Sequence, residues 1–187
     1  MDPELIERLI SSETAFKGRL ISLHVDEVEL SDGRRARREV VDHPGAVAIV
    51  PLLPDDRVVL IRQYRHAAGK VLYELPAGTL APGESPLACA RRELAEETGY
   101  EAKHMRLLFS TYLSPGYSSE IIHIFAASGL RRTACAGPDA DERLELAVMP
   151  LQDAVAMVGR GEVQNAAAIC GLLAVNAWGG VPEGAVE

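Results

Sequence analysis

The stretch from residue 78 to residue 100, GTLAPGESPLACARRELAEETGY, predicts a short helix that is clearly bounded at both ends. Ser85 followed by Pro86 is typical of a helix N-cap and first helical position, and Gly99 suits the end of a helix. The residues between them are mostly Ala, Leu, Glu and Arg, which favour helix. The apolar positions that can face a sheet are Leu87, Ala90 and Leu94.

The other face of this helix is acidic, because Glu93, Glu96 and Glu97 lie three and four positions apart. Taken alone, three clustered glutamates are about as well explained by a solvated surface as by a metal site. The preceding loop, residues 75–80, contains a Pro and a Gly that can bend a strand end and direct the carbonyl of Ala77 at the glutamates. Carboxylate and carbonyl oxygens are the ligands that Mg2+ and Mn2+ prefer.

A metal site on an acidic helix indicates a particular kind of substrate. A diphosphate is a polyanion that the glutamates would repel, so metal ions must bridge the protein and the phosphates. The same ions polarise a P–O bond and lower the pKa of an attacking water. The window therefore predicts metal-assisted hydrolysis of a diphosphate.

Composition is consistent with a cytoplasmic enzyme of one domain with an N-terminal extension. The 187 residues are 48% hydrophobic, enough for a substantial core. A net charge of -8 argues against nucleic-acid binding, which needs a basic surface. The three cysteines form no CxxC pair, which favours reduced thiols and excludes an obvious zinc site. The acidic N-terminus does not resemble a signal peptide, and no apolar run approaches the roughly 18 residues of a membrane span.

The chain order predicts a small N-terminal subdomain over residues 1–43. Residues 1–13 are expected to form a short helix, and residues 15–41 read as an antiparallel hairpin with its turn at 31–33. A main domain covers residues 44–178, and the Gly- and Pro-rich segment 179–187 is expected to be a flexible tail.

In the main domain, apolar runs predict strands before and after the acidic helix, and two helices follow at the C-terminal end. This pattern predicts an α/β fold, an α/β/α sandwich around a mixed sheet. The expected strands are 46–53, 57–65, 104–114, 120–128 and 144–151, and the expected helices are 152–160 and 164–178.

Nine positions of the 78–100 window match the Nudix box, Gly-x5-Glu-x7-Arg-Glu-Leu-x-Glu-Glu-x-Gly-apolar, so the chain is similar to Nudix hydrolases. The resemblance implies a divalent cation, Mg2+ or Mn2+ with Zn2+ as a further alternative. Glu93 and Glu97 would be the main ligands of this cation. The Ala77 carbonyl would be a further ligand, and Glu96 would bind the cation directly or through water. The matching positions are Gly78, Glu84, Arg92, Glu93, Leu94, Glu96, Glu97, Gly99 and Tyr100.

The same resemblance gives structural roles to other box residues. Arg92 is expected to support catalysis by pairing with Glu84, which holds the loop against the helix and orients the metal ligands. Gly78 and Gly99 are expected to be structural.

Outside the box, the chain resembles the ADP-ribose pyrophosphatase branch, in segments such as LIRQYRHAAGKVLYELPAG and SPGYSSE. Members that cleave ADP-ribose carry a proline about fifteen residues past the box, and Pro115 lies there, although Pro-Gly is also an ordinary turn. The implied reaction is hydrolysis of ADP-ribose to AMP and ribose 5-phosphate. The alternatives are another nucleoside diphosphate sugar, such as ADP-glucose or GDP-mannose, or a non-catalytic domain that senses ADP-ribose.

Substrate contacts are expected from four residues. Arg65 is the favoured phosphate contact, while Arg62, on the opposite strand face, could instead pair with an acid of the sheet. Glu74 is expected to hydrogen-bond a ribose hydroxyl. Glu120 is a candidate contact to the terminal ribose. Pro115 is the fourth expected substrate contact.

Hydrolysis also needs a general base, and two sources compete. One is a box glutamate such as Glu96. The other is an acid of the polar loop before residue 144, as in ADP-ribose pyrophosphatases, where we favour Glu142 over Asp141. A polar loop that only faces solvent is the plainer interpretation.

The resemblance also implies a homodimer formed through the N-terminal subdomain, because a lone hairpin is marginally stable in water. Part of each pocket would then come from the partner chain. Phe16 is the one aromatic residue of the hairpin, and the sequence does not identify the residues that bind the adenine.

Overall fold

The computed structural model describes residues 3–133 and 143–179. These residues fall into two compact units. The smaller unit contains the chain up to Gly45 together with Tyr112–Ile121, and the larger unit contains Ala46–Thr111 and the residues from Ile122 on. No helix in the described ranges is long and apolar enough to cross a membrane.

The smaller unit is a three-stranded antiparallel sheet in the order β1-β2-β3. A short 3-10 turn, Pro3–Leu5, precedes it. The predicted turn is confirmed, because the amide of Gly33 donates to the carbonyl oxygen of Leu30 at 2.9 Å and closes the β2–β3 hairpin. The strands are β1 (Arg8–Lys17), β2 (Ser22–Glu29) and β3 (Arg35–Asp42).

The short helix expected over residues 1–13 is wrong. Residues 8–13 belong to β1, which pairs with β2 from Arg8 opposite Glu29 to Lys17 opposite Ser22, and Pro3–Leu5 form a 3-10 turn. Local helix propensity is a weak preference, and a neighbouring strand that supplies backbone partners from Arg8 onward overrides it.

The larger unit is the expected α/β fold with helices on a mixed sheet, but its strands divide into two sheets. A four-stranded sheet has the order β7-β4-β9-β8, with β4 and β9 parallel. A three-stranded antiparallel sheet has the order β10-β5-β6. The elements are β4 (Ala46–Pro51), β5 (Arg57–Arg65), β6 (Lys70–Glu74), β7 (Ala77–Thr79), α1 (Pro86–Thr98), β8 (Tyr100–Tyr112), β9 (Ile121–Arg132), β10 (Leu144–Pro150), α2 (Leu151–Gly159) and α3 (Ala166–Ala177).

Helices cover both faces of β4, which explains why all six of its residues are buried. Val47 and Ile49 pack with the apolar side of α1. On the opposite face, α3 approaches so closely at Gly171 that a Cβ there would lie 2.9 Å from Cγ2 of Val50. A strand buried on both faces reads as a continuous apolar run, as this one does.

In the smaller unit, His24 links β2 to β3. Its Nδ1 lies 2.9 Å from Oδ1 of Asp26 and its Nε2 lies 3.1 Å from Oδ2 of Asp42. Both ring nitrogens can donate only when the imidazole is protonated. The hydrogen bond to Asp26 is the main reason why the pKa of His24 is raised, and the contact to Asp42 adds to it.

We therefore expect the stability of the protein to depend on pH through His24. A raised folded-state pKa gives a stabilisation that is complete below the unfolded-state value of about 6.5 and is lost as pH rises through the folded-state pKa. The difference in free energy of unfolding between wild type and His24→Gln should be largest in mild acid and should shrink as pH rises. Urea titrations across this range measure it. Asp26→Asn should weaken the pH dependence, and a difference that does not vary with pH would contradict the assignment.

Candidate active site

The acidic helix is α1, and local signals fix both of its ends as the sequence predicts. Oγ of Ser85 accepts a hydrogen bond from the amide of Ala88 at 3.2 Å, and Pro86 is the first helical residue. At the other end, Gly99 adopts a positive φ of 66°, and its amide donates to the carbonyl oxygen of Ala95. These ends determine which helical positions face the loop before the helix.

Glu97 ties α1 to that loop. It is 4% exposed, and its Oε2 accepts a hydrogen bond from the amide of Ala77 at 2.8 Å. The loop itself is held by the sheet, because the carbonyl oxygen of Pro76 accepts from the amide of Ile49 in β4. The backbone of Ala77 thus contacts the acidic cluster through its amide, and the expected role of its carbonyl oxygen as a metal ligand stays a prediction.

Gly78 provides the space for Glu93. A Cβ placed on Gly78 would lie 1.8 Å from Oε1 and 1.9 Å from Cδ of Glu93. Any other residue at position 78 would therefore displace this carboxyl group. The glycine is required here by a close approach.

Arg92 binds three glutamates with one guanidinium group. Its Nε and one terminal nitrogen form a bidentate pair with Glu84, both at 3.0 Å. The other terminal nitrogen lies 2.6 Å from Oε1 of Glu93 and 3.0 Å from Oε2 of Glu96. Hydrogen bonds from Arg92 lower the pKa of Glu84 to about 2, and Glu84 in turn raises the pKa of Arg92.

Cys89 lies beside this cluster, with its Sγ 3.3 Å from Arg92. Burial is the main reason why the pKa of its thiol is raised to about 12. A protonated, buried thiol has little nucleophilic character. The structure therefore gives no reason to assign Cys89 a chemical role.

The residues at this site fit a divalent cation by donor type and by packing. Glu93, Glu96 and Glu97 supply carboxylate oxygens on one helix face, and the missing side chain of Gly78 leaves room for Glu93 against the loop. Within residues 3–133 and 143–179, no group of three His, Cys, Asp or Glu side chains is already arranged as a ligand set. Arg92 contacts two of the three glutamates, Glu93 and Glu96.

A second polar cluster lies on β5 and β6. Nε of Arg65 donates to Oε2 of Glu74 at 2.9 Å, and the other oxygen of Glu74 accepts from Nδ2 of Asn165 at 3.0 Å. We expected Glu74 to bind a ribose hydroxyl, but both of its oxygens already accept hydrogen bonds from the protein. Arg62 pairs with Glu145 of β10 at 2.8 Å. This is the pairing with an acid of the sheet that the sequence offered as its alternative role.

Two other expected substrate residues belong to the smaller unit. Pro115 lies in an exposed turn, in which the amide of Tyr117 donates to the carbonyl oxygen of Ser114. Glu120 is half-buried, with Oε1 3.8 Å from Nδ1 of His43. The candidate base Glu142 lies outside the described residues, as does Asp141.

The sequence reading missed Asn165 and Gln63. Asn165 caps α3, since its Oδ1 accepts from the amide of Ala168 at 3.0 Å, and an N-cap signal was available in the sequence. Its contact with Glu74 joins residues 91 positions apart and has no local signal. Gln63 is 8% exposed, and its Oε1 has no hydrogen-bond partner among the residues that the structure describes.

Comparison with known proteins agrees with this geometry. The NUDIX domain family model matches residues 42–169, and the nucleoside diphosphate sugar hydrolase N-terminal domain matches residues 7–41. The chain belongs to the Nudix family. As a Nudix hydrolase of the pyrophosphatase class, it belongs to a group that generally needs a divalent metal.

Several relatives of this Nudix chain align over most of their length. The methanol dehydrogenase activator of Bacillus methanolicus is 44% identical over 150 residues, which cover 80% of this chain and 81% of the relative. The ADP-ribose pyrophosphatase of Bacillus subtilis is 39% identical over 167 residues, covering 87% and 88%. The GDP-mannose pyrophosphatase of Klebsiella pneumoniae is 37% identical over 154 residues, covering 76% and 77%.

A solved structure agrees as well. The crystal structure of an ADP compounds hydrolase superposes with a TM-score of 0.81 at 28% identity, covering 92% of this chain and 93% of that one. The fold of this Nudix protein is therefore shared over almost its whole length.

We expect Gly78→Ala to reduce hydrolysis while leaving the protein folded. The added Cβ collides with the end of the flexible Glu93 side chain, which can swing away and leave the ligand face incomplete. Turnover should fall by about 10- to 100-fold, as for other changes that misplace a ligand. Gly159→Ala is the matched control, because a Cβ there meets no atom within 4 Å. Equal activity of the two variants, measured with a diphosphate substrate, would contradict the role of Gly78.

Removal of the Arg92–Glu84 pair should destabilise the protein in a pH-dependent way. The depressed pKa of Glu84 gives a stabilisation that is present above the unfolded-state pKa of about 4.5 and is lost as pH falls toward about 2. We expect Glu84→Gln to lower the free energy of unfolding by about 1–2 kcal/mol at neutral pH. This is less than the pKa shift of Glu84 alone would give, because solvent screens the partly exposed Arg92.

Urea unfolding at neutral pH and between pH 4.5 and 2 measures this effect. The loss caused by Glu84→Gln should shrink as pH falls, since the wild-type carboxyl becomes protonated. Glu162→Gln breaks an exposed pair with Arg160 and should cost much less at neutral pH. An equal loss at pH 7 and pH 2 would show that the charge of Glu84 is not responsible.

Proposed function

We propose that this protein hydrolyses the diphosphate bond of ADP-ribose to AMP and ribose 5-phosphate, with Mg2+ or Mn2+ as its cofactor and with Zn2+ as an alternative. The observation that carries the proposal is the complete acidic face of α1, which Glu97 joins to the Ala77 amide at the start of β7 and which Arg92 joins to Glu84. Relatives of similar length that are named for ADP-ribose hydrolysis support the choice of substrate.

The ligands of the metal would be Glu93, Glu96, Glu97 and the carbonyl of Ala77. When bound, a divalent cation supplies charge neutralisation of the diphosphate and lowers the pKa of water. The protein determines where this happens, because Arg92 and the amide of Ala77 fix the carboxyl groups on one side of the helix.

Arg65 is proposed to bind the diphosphate. A guanidinium matches phosphate oxygens in charge and geometry, and the side chain of Arg65 is 43% exposed beside a fully buried partner. We also propose that Glu120 binds the terminal ribose and that Pro115 contacts the substrate. A ribose contact of Glu74 would need its side chain, which is 2% exposed, to become accessible to the substrate.

Hydrolysis requires that the attacking water lose a proton as the new P–O bond forms and the bridging P–O bond breaks. We propose Glu142 as the group that accepts this proton. Glu96 is the alternative, because it lies on the ligand face of α1 and has an oxygen 3.0 Å from Arg92.

We propose in addition that the smaller unit forms a homodimer. Its edge strand β1 is exposed over nearly all of its length. Apolar side chains such as Leu9, Phe16 and Leu20 are each more than half exposed, which is typical of a surface that a partner covers. A second copy of this chain is the partner that the N-terminal subdomain of this family implies.

The decisive experiment is the turnover of ADP-ribose, ADP-glucose and GDP-mannose with Mg2+ and with Mn2+. We expect ADP-ribose to be cleaved fastest, with AMP and ribose 5-phosphate as the products. Glu97→Gln should lower kcat by at least about 100-fold, the size of effect expected when a group that stabilises transition-state charge is lost. A glutamine can still accept the hydrogen bond of the Ala77 amide, so the fold should be kept.

Glu101→Gln is the matched control, because Glu101 contacts Arg131 and Thr133 away from the ligand face. It should leave kcat unchanged. Faster cleavage of GDP-mannose or ADP-glucose would replace the proposed substrate. A protein that binds ADP-ribose, measured by calorimetry, but cleaves no member of the panel would be a sensing domain.

A further inference from the structure

Three side chains form a continuous hydrogen-bonded row in the larger unit. Asn165, at the start of α3, donates to Oε1 of Glu74 in β6 at 3.0 Å. Oε2 of Glu74 then accepts from Nε of Arg65 at 2.9 Å and lies 2.7 Å from one of its terminal nitrogens. The row connects a helix N-terminus to the end of β5.

Exposure changes sharply along this row. Glu74 is 2% exposed, whereas the Arg65 side chain is 43% exposed. A carboxylate that is removed from water must be compensated by hydrogen bonds and by an opposite charge, and here Asn165 and Arg65 provide both. The carboxylate thus forms the interior end of the pair and the guanidinium forms the exterior end.

Asn165 uses both ends of its amide group. Oδ1 accepts from the amide of Ala168 and caps α3, while Nδ2 donates to Glu74. Serine, threonine or aspartate would cap a helix about as well, but aspartate has no N–H to donate. The cap alone therefore does not explain why an amide is present at this position.

We propose that Asn165 and Glu74 are positioning residues that hold the Arg65 guanidinium in place for the diphosphate of the substrate. With both oxygens fixed, the carboxyl group of Glu74 cannot rotate, and Arg65 loses conformational freedom before substrate binds. Such preorganisation lowers the cost of ordering a long side chain during binding. This inference rests on the proposed function, and it gives Glu74 a role other than the expected ribose contact.

The test is Asn165→Asp compared with its neighbour variant Gln164→Glu. Both convert an amide to a carboxylate, so both add one negative charge within one residue of each other. Asn165→Asp keeps the helix cap but directs a carboxylate at Glu74, whereas Gln164 contacts Lys70, an exposed residue. We expect Asn165→Asp to raise KM for the diphosphate substrate about tenfold, with kcat within about twofold of wild type. Gln164→Glu should leave KM within about twofold.

A double variant provides the rescue. In Asn165→Asp combined with Glu74→Gln, the donor and the carboxylate exchange places, and the net charge returns to that of wild type. The introduced glutamine can donate to the introduced aspartate and accept from Arg65. We expect KM to return to within about threefold of wild type, which a purely structural loss at either position would not produce. Thermal unfolding should show a lower Tm for Asn165→Asp than for Gln164→Glu, because the new carboxylate faces the buried Glu74, and KM should be measured below both transitions.

Each outcome decides the proposal. It is overturned if Asn165→Asp leaves KM unchanged, if Gln164→Glu raises KM equally, or if the double variant is no better than Asn165→Asp. A wild-type protein that is inert toward ADP-ribose but active on another nucleoside diphosphate sugar would refute the proposed substrate alone, and the KM comparison would use the substrate that is cleaved. If no substrate is cleaved, calorimetric titration with ADP-ribose gives Kd for the same variants, with the same tenfold difference expected.

Discussion

The guanidinium of Arg92 is the interaction on which the site depends. The Nudix helix places three glutamates on one face, and without a cation their carboxylates would repel one another and Glu84 of the preceding loop. Arg92 contacts Glu93 and Glu96 on its own helix and Glu84 on the loop. One positive charge is thus shared by three carboxylates, and the same contacts that reduce the repulsion also fix the positions of the side chains.

The position of this cluster depends on the sheet beneath it. The apolar side of α1 packs on Val47 and Ile49 of β4, and β4 also binds the loop through its hydrogen bond to Pro76. Glu97 then joins loop and helix through the Ala77 amide. Helix and loop are therefore both fastened to one buried strand, which sets the position of their backbones, while Arg92 and Glu97 supply the polar contacts between them.

Local sequence signals predicted the parts of the fold that local physics determines. The caps of α1 and the apolar run of β4 are examples, and the Nudix box predicted the Arg92–Glu84 contact. β1 was misread as a helix because its strand conformation comes from pairing with β2, which no signal within the segment records. The Glu74–Asn165 contact and the division of the strands into two sheets also depend on partners far along the chain.

The two arginines near the site differ in what surrounds them, and this difference separates their roles. Arg92 faces an excess of carboxylates, so its charge is used within the protein. Arg65 has Glu74 on its buried side, and the outward side of that pair is the guanidinium. A protein with a net charge of -8 repels a diphosphate over most of its surface. Because the Glu74 carboxylate is buried and the Arg65 guanidinium is partly exposed, this ion pair places a positive group at the surface without adding net positive charge to the protein.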